Sequence, residues 1–168
     1  MSDLSRLHDA ISTTLKAAMP QLETVASYTD TQPDTQLPAL FHAIVGLRPG
    51  VDPGDGHSCI VARFEARIVV DTSRPGAALE ATALATQLMV LLRKQYWDIE
   101  FVEEARAIQA QPLATAPSNW TLQWEQVLHL GQAQWPWPNQ PPGSLVFSFD
   151  PDTGVGHEDS YKAPEDFA

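Results

Sequence analysis

The sequence predicts an α+β domain, in which two helices pack on one face of a mainly antiparallel sheet of four to five strands. Two observations carry this prediction. In two segments, about 3–19 and 76–95, apolar residues recur at spacings of three and four, as they do on one face of a helix. In other segments, of which 60–70 is the clearest, apolar residues alternate with polar ones, as they do in a strand with one buried face.

The first helix is predicted at about residues 3–19. Its apolar face consists of Leu4, Leu7, Ile11, Leu15 and Ala18. Ser2 stands where a side-chain oxygen caps a helix N-terminus, and Pro20 ends the helix because proline lacks the backbone N–H that a further turn needs. His8 is interpreted as a partly exposed residue of this helix.

A long hairpin is predicted next, with strands at 39–48 and 58–71, after a short strand at 24–29. The segment 49–56 between the two hairpin strands is dense in glycine and proline, which is typical of a turn. The first hairpin strand is expected to keep one alternation along its whole length. That alternation places Ala39, Phe41, Ala43, Val45 and Leu47 on one face.

The second hairpin strand has two unlike faces. Its even positions are all apolar, namely Ile60, Ala62, Phe64, Ala66, Ile68 and Val70. The centre of its odd face is charged, with Arg63, Glu65 and Arg67 in succession. One face is therefore predicted to form a wall of the core, and the other to meet water or another protein.

The second helix is rich in alanine and is predicted to pack close to the sheet. Residues 99–110 are ambiguous in composition, and their position after a helix favours a strand. A loop is predicted at 112–119. A strand follows at 120–130, and Trp120 and Trp124 on its apolar face are expected in the core.

The periodic patterns continue through residues 1–131 and then stop. This predicts the α+β domain over that range and an acidic, Pro-rich, extended C-terminal arm at 132–168, with a small strand at 145–149. Trp135 and Trp137 are held apart by proline, and aromatic side chains on a stiff segment suit docking into a neighbouring surface at low entropic cost. The alternative is that both tryptophans fold back on their own domain.

Composition excludes several classes of protein. The 168 residues include 21 acidic and 10 basic side chains, a net charge of −11, and nucleic-acid binding needs clustered lysine and arginine. No apolar run approaches the roughly 20 residues that span a bilayer, and no signal peptide is expected from the N-terminal pattern. The single Cys59 excludes an intrachain disulfide and fits a reducing compartment.

No metal site is predicted, because the five histidines have no metal-ligand spacing. No catalytic or cofactor-binding site is predicted either, because the sequence has no Gly-x-Ser-x-Gly elbow, no Walker-type phosphate loop and no dinucleotide fingerprint. Asp52, Asp55 and His57 share a loop, and its Asp-Gly and Pro-Gly pairs favour a turn over a calcium site. Glu103 and Glu104 are adjacent and face opposite ways on a strand, which excludes an acid/base pair. The chain is therefore interpreted as a non-enzymatic protein. A small soluble α+β enzyme or ligand-binding domain is the alternative.

The order of several segments is distinctive. These segments are LSRLHDAISTTLKAAMP, LPALFHAIVG, FEARIVVDTSRPG leading into ALEATALATQLMVLLRKQ, and NWTLQWEQVLHLG, and together they cover about residues 3–131. In pattern and order the chain resembles the tail terminator, or tail completion, proteins of long-tailed bacteriophages and of related contractile bacteriocin particles.

The resemblance implies a structural virion protein that forms a ring, usually a hexamer, at the head-proximal end of the tail. The ring caps the tail tube, ends tail polymerisation and provides the surface on which the head or neck docks. Its partners are copies of itself, the tail tube protein, a head–neck connector and, in contractile tails, the sheath protein. DNA passes through without specific binding, and assembly takes place in the host cytoplasm without a membrane or cofactor. A head–neck connector or another tail or baseplate joining protein is the alternative.

A ring contact is heterologous, so each subunit must offer two different patches. The charged strand face is one candidate patch, paired with carboxylates of a neighbouring subunit, although a solvated sheet face explains the same residues. The candidate interface residues are Arg63, Glu65, Arg67, Glu100, Glu103, Glu104, Trp135 and Trp137.

The arm interpretation gives a testable prediction for the two tryptophans. Substituting Trp135→Ala together with Trp137→Ala is expected to weaken self-assembly and to leave the melting temperature nearly unchanged, because anchors on an arm contribute to docking and not to the core. Assembly is measured by sedimentation and stability by thermal unfolding. A large fall in melting temperature would place both tryptophans in the core instead.

Overall fold

The computed structural model of the chain describes residues 2–29, 32–51, 54, 56–114, 116–131 and 145–167. Its helices and strands are α1 (Asp3–Ala18), β1 (Thr24–Ser27), β2 (Ala39–Pro49), β3 (Ser58–Val69), α2 (Ala77–Leu92), β4 (Arg106–Leu113) and β5 (Ala116–Leu130). The described strands form a five-stranded sheet in the order β1-β2-β3-β5-β4. β1 and β2 are parallel and the other neighbours are antiparallel, so the predicted α+β class is confirmed.

Both helices bury their apolar faces in one core against the even-numbered face of β3. The shared cluster includes Leu7, Ile11 and Leu15 of α1, Leu84, Ala85 and Leu88 of α2, and Ala62, Phe64, Ala66 and Ile68 of β3. Phe64 stacks on Trp124 of β5 with 5.2 Å between ring centroids and 6° between the planes. Among the described residues, neither α-helix combines the length and apolar character needed to cross a membrane.

The ends of α1 follow from its flanking residues. The hydroxyl of Ser2 accepts a hydrogen bond from the backbone N–H of Ser5 at 3.2 Å, which satisfies one of the donors left free at a helix N-terminus. The helix ends at Ala18, before Pro20. Both boundaries therefore lie where the capping residue and the proline predict them.

A β-bulge interrupts β2 and overturns its predicted single alternation. The pairing with β3 shifts after Ile44, where Val45 is the extra residue. Phe41, before the bulge, is paired with the odd-numbered, charged face of β3, whereas Leu47, after it, is paired with the even-numbered face. The prediction that these residues share a face was wrong, because one inserted residue reverses the phase of a strand. The same reversal brings Arg48 to the charged face.

The chain between α2 and β5 departs most from expectation. Residues 99–105, for which a strand was favoured, are irregular, and the regular strand β4 begins after them. The loop predicted at 112–119 was wrong for most of its length, because β4 and β5 extend into it from both sides. Pro112 fits β4 because that strand is at the edge of the sheet, where one side of the backbone needs no ladder partner.

A buried amide holds the irregular segment against the sheet. The side-chain oxygen of Gln126 accepts hydrogen bonds from the indole N–H groups of Trp97, at 2.7 Å, and Trp124, at 3.0 Å. Its side-chain nitrogen donates to the backbone carbonyls of Gln95, at 3.0 Å, and Glu103, at 2.9 Å. These bonds fix the segment beside β5 without a regular ladder, and they leave no polar atom of the amide unpaired.

Residues 145–167 belong to a second compact unit. Phe147 and Lys162 form an isolated antiparallel bridge with N···O distances of 2.8 and 2.9 Å, so the strand predicted at 145–149 is reduced to a single bridge. Two short 3-10 helices, Glu158–Ser160 and Pro164–Phe167, follow.

Two predictions fall on residues that the structure does not describe. The extended Pro-rich segment with Trp135 and Trp137 lies outside the described residues, and so do Asp52 and Asp55 of the Gly/Pro loop. The docking role of the tryptophans stays a prediction.

Candidate interaction surface on the outer face of the sheet

The odd-numbered side of β3 faces away from the two helices and carries a row of charges. Arg63, Glu65 and Arg67 follow one another along it, as the alternation predicts. Arg63 is exposed, and the other two are half-buried. Neighbouring strands contribute two further charged side chains to the same face. We call the five residues Arg48, Arg63, Glu65, Arg67 and Glu125 the charge ladder.

Hydrogen bonds between strands align the ladder. Arg48 of β2 reaches over β3 to β5, where its Nη2 donates to Oε2 of Glu125 at 2.8 Å. Gln123 of β5 donates from Nε2 to Oε2 of Glu65, also at 2.8 Å. The Arg48 and Glu125 side chains are 60% and 33% exposed, and such surface pairs contribute about 0–1 kcal/mol to stability. The bonds therefore orient charges more than they stabilise the fold.

The bulge in β2 places Gly46 directly opposite Arg63 in the pairing of β2 with β3. The guanidinium of Arg63 lies over this glycine, because a Cβ at position 46 would lie 3.4 Å from Nη2, at the short end of ordinary van der Waals contact. The Arg63 side chain therefore lies across the neighbouring strand.

One end of the ladder opens into a cleft of about 680 Å³. Its polar lining includes Arg48, Cys59, Glu103, Arg106, Glu125 and His129. One oxygen of Glu103 accepts a hydrogen bond from Nη2 of Arg106 at 2.7 Å, and the other lies 2.9 Å from Nε2 of His129. Glu103 thus connects β4 to β5, and its carboxylate is already engaged within its own chain.

Cys59 and His129 are cross-strand partners in the cleft, but they are not arranged as nucleophile and base. Nε2 of His129 is engaged by Glu103, and Nδ1 is buried with no hydrogen-bond partner among the residues that the structure describes. Neither ring nitrogen therefore bonds to the thiol. In the described parts of the chain, no group of three or more His, Cys, Asp or Glu side chains is placed to hold a metal ion.

The three candidate carboxylates 100, 103 and 104 are separated in the structure. Glu100 lies beside the helix layer and pairs with Arg6 of α1, with 3.0 and 3.3 Å from Nη2 to its two oxygens. Its own backbone N–H, and then Arg6, keep the pKa of Glu100 below its ordinary value. Glu103 lines the cleft, and Glu104 is exposed. Glu100 is therefore not part of the charged sheet face.

Two comparisons with known proteins found no match: no protein-family model matches the sequence, and no curated protein matches it. The function must therefore be inferred from the geometry of the site. That geometry presents alternating charges on paired strands, which suits recognition of a complementary surface.

A buried histidine pair, absent from the sequence-based prediction, joins α1 to β2. Nδ1 of His8 and Nδ1 of His42 are 3.4 Å apart, and the two rings are stacked. The hydroxyls of Ser12 and Tyr28 lie 2.9 Å from Nε2 of His42 and 3.1 Å from Nε2 of His8. His8 is 7% exposed, so its interpretation as a partly exposed residue was wrong. Its position one turn from Leu4 and from Ile11, within the apolar stripe of α1, is the signal that indicates burial.

Both histidines are held neutral by their surroundings. Burial lowers the pKa of His42 from its ordinary 6.5 to about 4, and the neighbouring His8 adds to the shift. Burial also lowers the pKa of His8, against the opposing effect of the Asp9 carboxylate. Because these pKa values are lower in the folded chain than in the unfolded one, the unfolded chain binds protons more readily between about pH 4 and pH 6.5.

The free energy of unfolding is therefore expected to fall as the pH is lowered from 6.5 to 4. His42 alone accounts for about 3 kcal/mol of this loss, the cost of keeping its ring neutral at pH 4. Urea unfolding at pH 7, 6, 5 and 4 measures it. In the variant His42→Gln, the free energy of unfolding should fall much less between pH 6.5 and 4 than in the wild type. The variant His157→Gln, at an exposed position, should show the same fall as the wild type. Equal pH dependence in the wild type and in His42→Gln would contradict the assignment.

Proposed function

We propose that this chain is a structural, non-enzymatic protein of a phage-like tail, which assembles with copies of itself into a ring that caps the tail tube. The resemblance implies a hexameric ring. The observation that supports the proposal most is the charge ladder. Three charges of alternating sign follow one another along the central strand β3. The neighbouring strands β2 and β5 add Arg48 and Glu125, which are hydrogen-bonded to each other. The order of the elements, which resembles that of tail terminator proteins, supports the same proposal.

The ladder suits a heterologous contact between ring subunits. Alternating signs along a strand define a register, because a partner surface shifted by one position meets like charges. Arg63 is exposed at the centre of the face, and Glu104 is an exposed candidate carboxylate that a neighbouring subunit offers. Glu100 and Glu103 already have partners in their own chain, so we place Glu104 first.

The charge of the chain fits a ring through which DNA passes. A net charge of −11 on every subunit repels phosphate groups, so DNA slides through the opening without adhering. In this proposal the ring lies at the head-proximal end of the tail, contacts the tail tube protein and, in a contractile tail, the sheath, and receives the head–neck connector. It assembles in the host cytoplasm and needs neither a cofactor nor a membrane.

Charge reversal at the centre of the ladder tests the ring contact. Arg63→Glu is expected to reduce the yield of rings several-fold, because it places three acidic side chains together on the contact face and meets the acidic groups of the neighbour. Lys16→Glu on α1 changes the net charge equally and is the matched control. Native mass spectrometry measures the ring yield, and thermal unfolding checks the fold. Equal ring yields from both variants would show that the ladder is not the ring contact.

Electron microscopy of particles that lack this protein tests the function itself. If the ring ends polymerisation, tails without it should be longer than wild-type tails and variable in length. Restoring the wild-type chain should restore a single tail length. Tails of normal length without heads would instead indicate a head–neck connector, and normal complete particles would contradict both roles.

A further inference from the structure

One line of residues on the outward face of α2 is uncharged and has a large apolar side chain at each end. Leu79 and Val90 are 75% and 70% exposed, and Ala83 and Thr86 between them are exposed as well. These four residues are separated by four, three and four positions, so they lie in one line along the helix. We call them the α2 stripe.

Such a surface is unusual for a helix that faces solvent, whose outward side is ordinarily polar or charged. Glu80 is the one ionisable residue in the sequence of α2, and it pairs with Arg74 at 3.7 Å near the start of the helix. In a chain with a net charge of −11, the stripe is thus a surface at which a second acidic molecule meets no carboxylate. A groove of about 330 Å³ is lined by Thr86 and Val90 of the stripe, by Gln87 and Leu91 of α2, and by Ala18 and Met19 at the end of α1.

We propose that the α2 stripe packs against the same stripe of a second copy of the chain, with the two helices antiparallel. A two-fold contact requires a surface that is complementary to itself. The spacing of four, three and four reads the same in both directions along the helix. Leu79 of one copy then faces Val90 of the other, beside the groove, and Ala83 faces Thr86.

The sizes of the side chains fit this pairing. The small residues Ala83 and Thr86 lie at the centre, where two helices approach most closely, and the larger Leu79 and Val90 lie towards the ends. The antiparallel arrangement also places the two helix dipoles in opposite directions, which is favourable. Measured along the helix axis, Arg93 of one copy, just after the helix, is then about 6 Å from Glu80 of the other copy, or about one helical turn.

The contact is small, which sets its strength. The stripe is about 16 Å long and about 10 Å wide. Its area of roughly 160 Å² is well below the roughly 800 Å² that each partner buries in a stable interface. The dimer is therefore weak and depends on concentration. Because two chains of charge −11 repel each other while the stripe itself is uncharged, added salt strengthens the dimer. A contact made through paired Arg and Glu side chains of the charge ladder responds in the opposite direction.

This dimer goes beyond the proposed ring. A two-fold contact pairs two subunits and cannot by itself close a ring, whereas the heterologous contacts of a ring do not use a self-complementary face. The two associations therefore use different surfaces of the same domain and are tested separately.

Sedimentation velocity of the full-length chain at several concentrations and at 20 and 150 mM NaCl tests the dimer. The wild type should show a monomer–dimer equilibrium that shifts to dimer at the higher salt concentration. Thr86→Glu brings two carboxylates together near the two-fold axis and should raise the dissociation constant at least about tenfold. Thr13→Glu, at an exposed position of α1, should leave it unchanged. Equal dissociation constants for the two variants, or a dimer that salt weakens, would overturn the proposal.

Disulfide trapping tests the antiparallel pairing. The single cysteine is first replaced by Cys59→Ser, and chains with Leu79→Cys are mixed with chains with Val90→Cys under mild oxidation. Heterodimers should form faster than either homodimer, and faster than dimers of a Thr13→Cys control. Preferred homodimers would indicate parallel helices, and trapping at the control rate would indicate another occupant of the stripe; both results contradict the proposal. Rings without this dimer would contradict the dimer alone, and this dimer without rings would contradict the proposed function alone.

Discussion

The pairing of β3 with β5 is the constraint on which the rest of the domain depends. It runs from Ser58 opposite Leu130 to Ile68 opposite Trp120 without a shift in register. Because side chains alternate between the faces of a strand, a slip of one residue would turn Phe64 out of the core and carry Arg63 into it. Burial of an unpaired guanidinium costs several kcal/mol, so the core fixes the register and, with it, the position of every charge on the outer face. The charge ladder is thus the outer side of the same alternation that builds the core.

Buried polar groups complete what the apolar core leaves unspecified. The apolar contacts of α1 with the sheet permit small rotations of the helix, whereas the hydrogen bonds that link Ser12, His8 and His42 require one orientation. Gln126 has the same role for the segment after α2, because four hydrogen bonds to one amide determine where that segment lies. The histidine pair has a cost that the glutamine does not, since it must stay neutral while buried. The helix layer is therefore tied to the sheet more firmly at neutral pH than at acidic pH.

The sequence predicts the features that depend on neighbouring residues, and it fails where distant contacts decide. The helices, the hairpin and the two faces of β3 follow from spacings of two, three and four, which are local. The bulge at Val45 is marked by nothing more than the glycine that follows it, and the residue that this glycine lies opposite, Arg63, is on another strand. The pairing of Glu100 with Arg6 joins residues that are 94 positions apart, so no spacing indicates it. Gln126 and His8 each stood in an apolar pattern as a polar exception, and such exceptions indicate buried networks.

The two surfaces proposed for association differ in their physics because they lie on opposite sides of the sheet. The charge ladder is on the side that the helices leave open, where alternating charges select a register and salt screens them. The α2 stripe is on the outward side of the helix layer, where apolar packing tolerates salt and the remaining charge of the chain opposes association. A subunit of this kind can therefore bind one neighbour at the charge ladder and another at the α2 stripe at the same time. Ionic strength then determines which contact is stronger, because low ionic strength favours the ladder contact and high ionic strength favours the stripe contact.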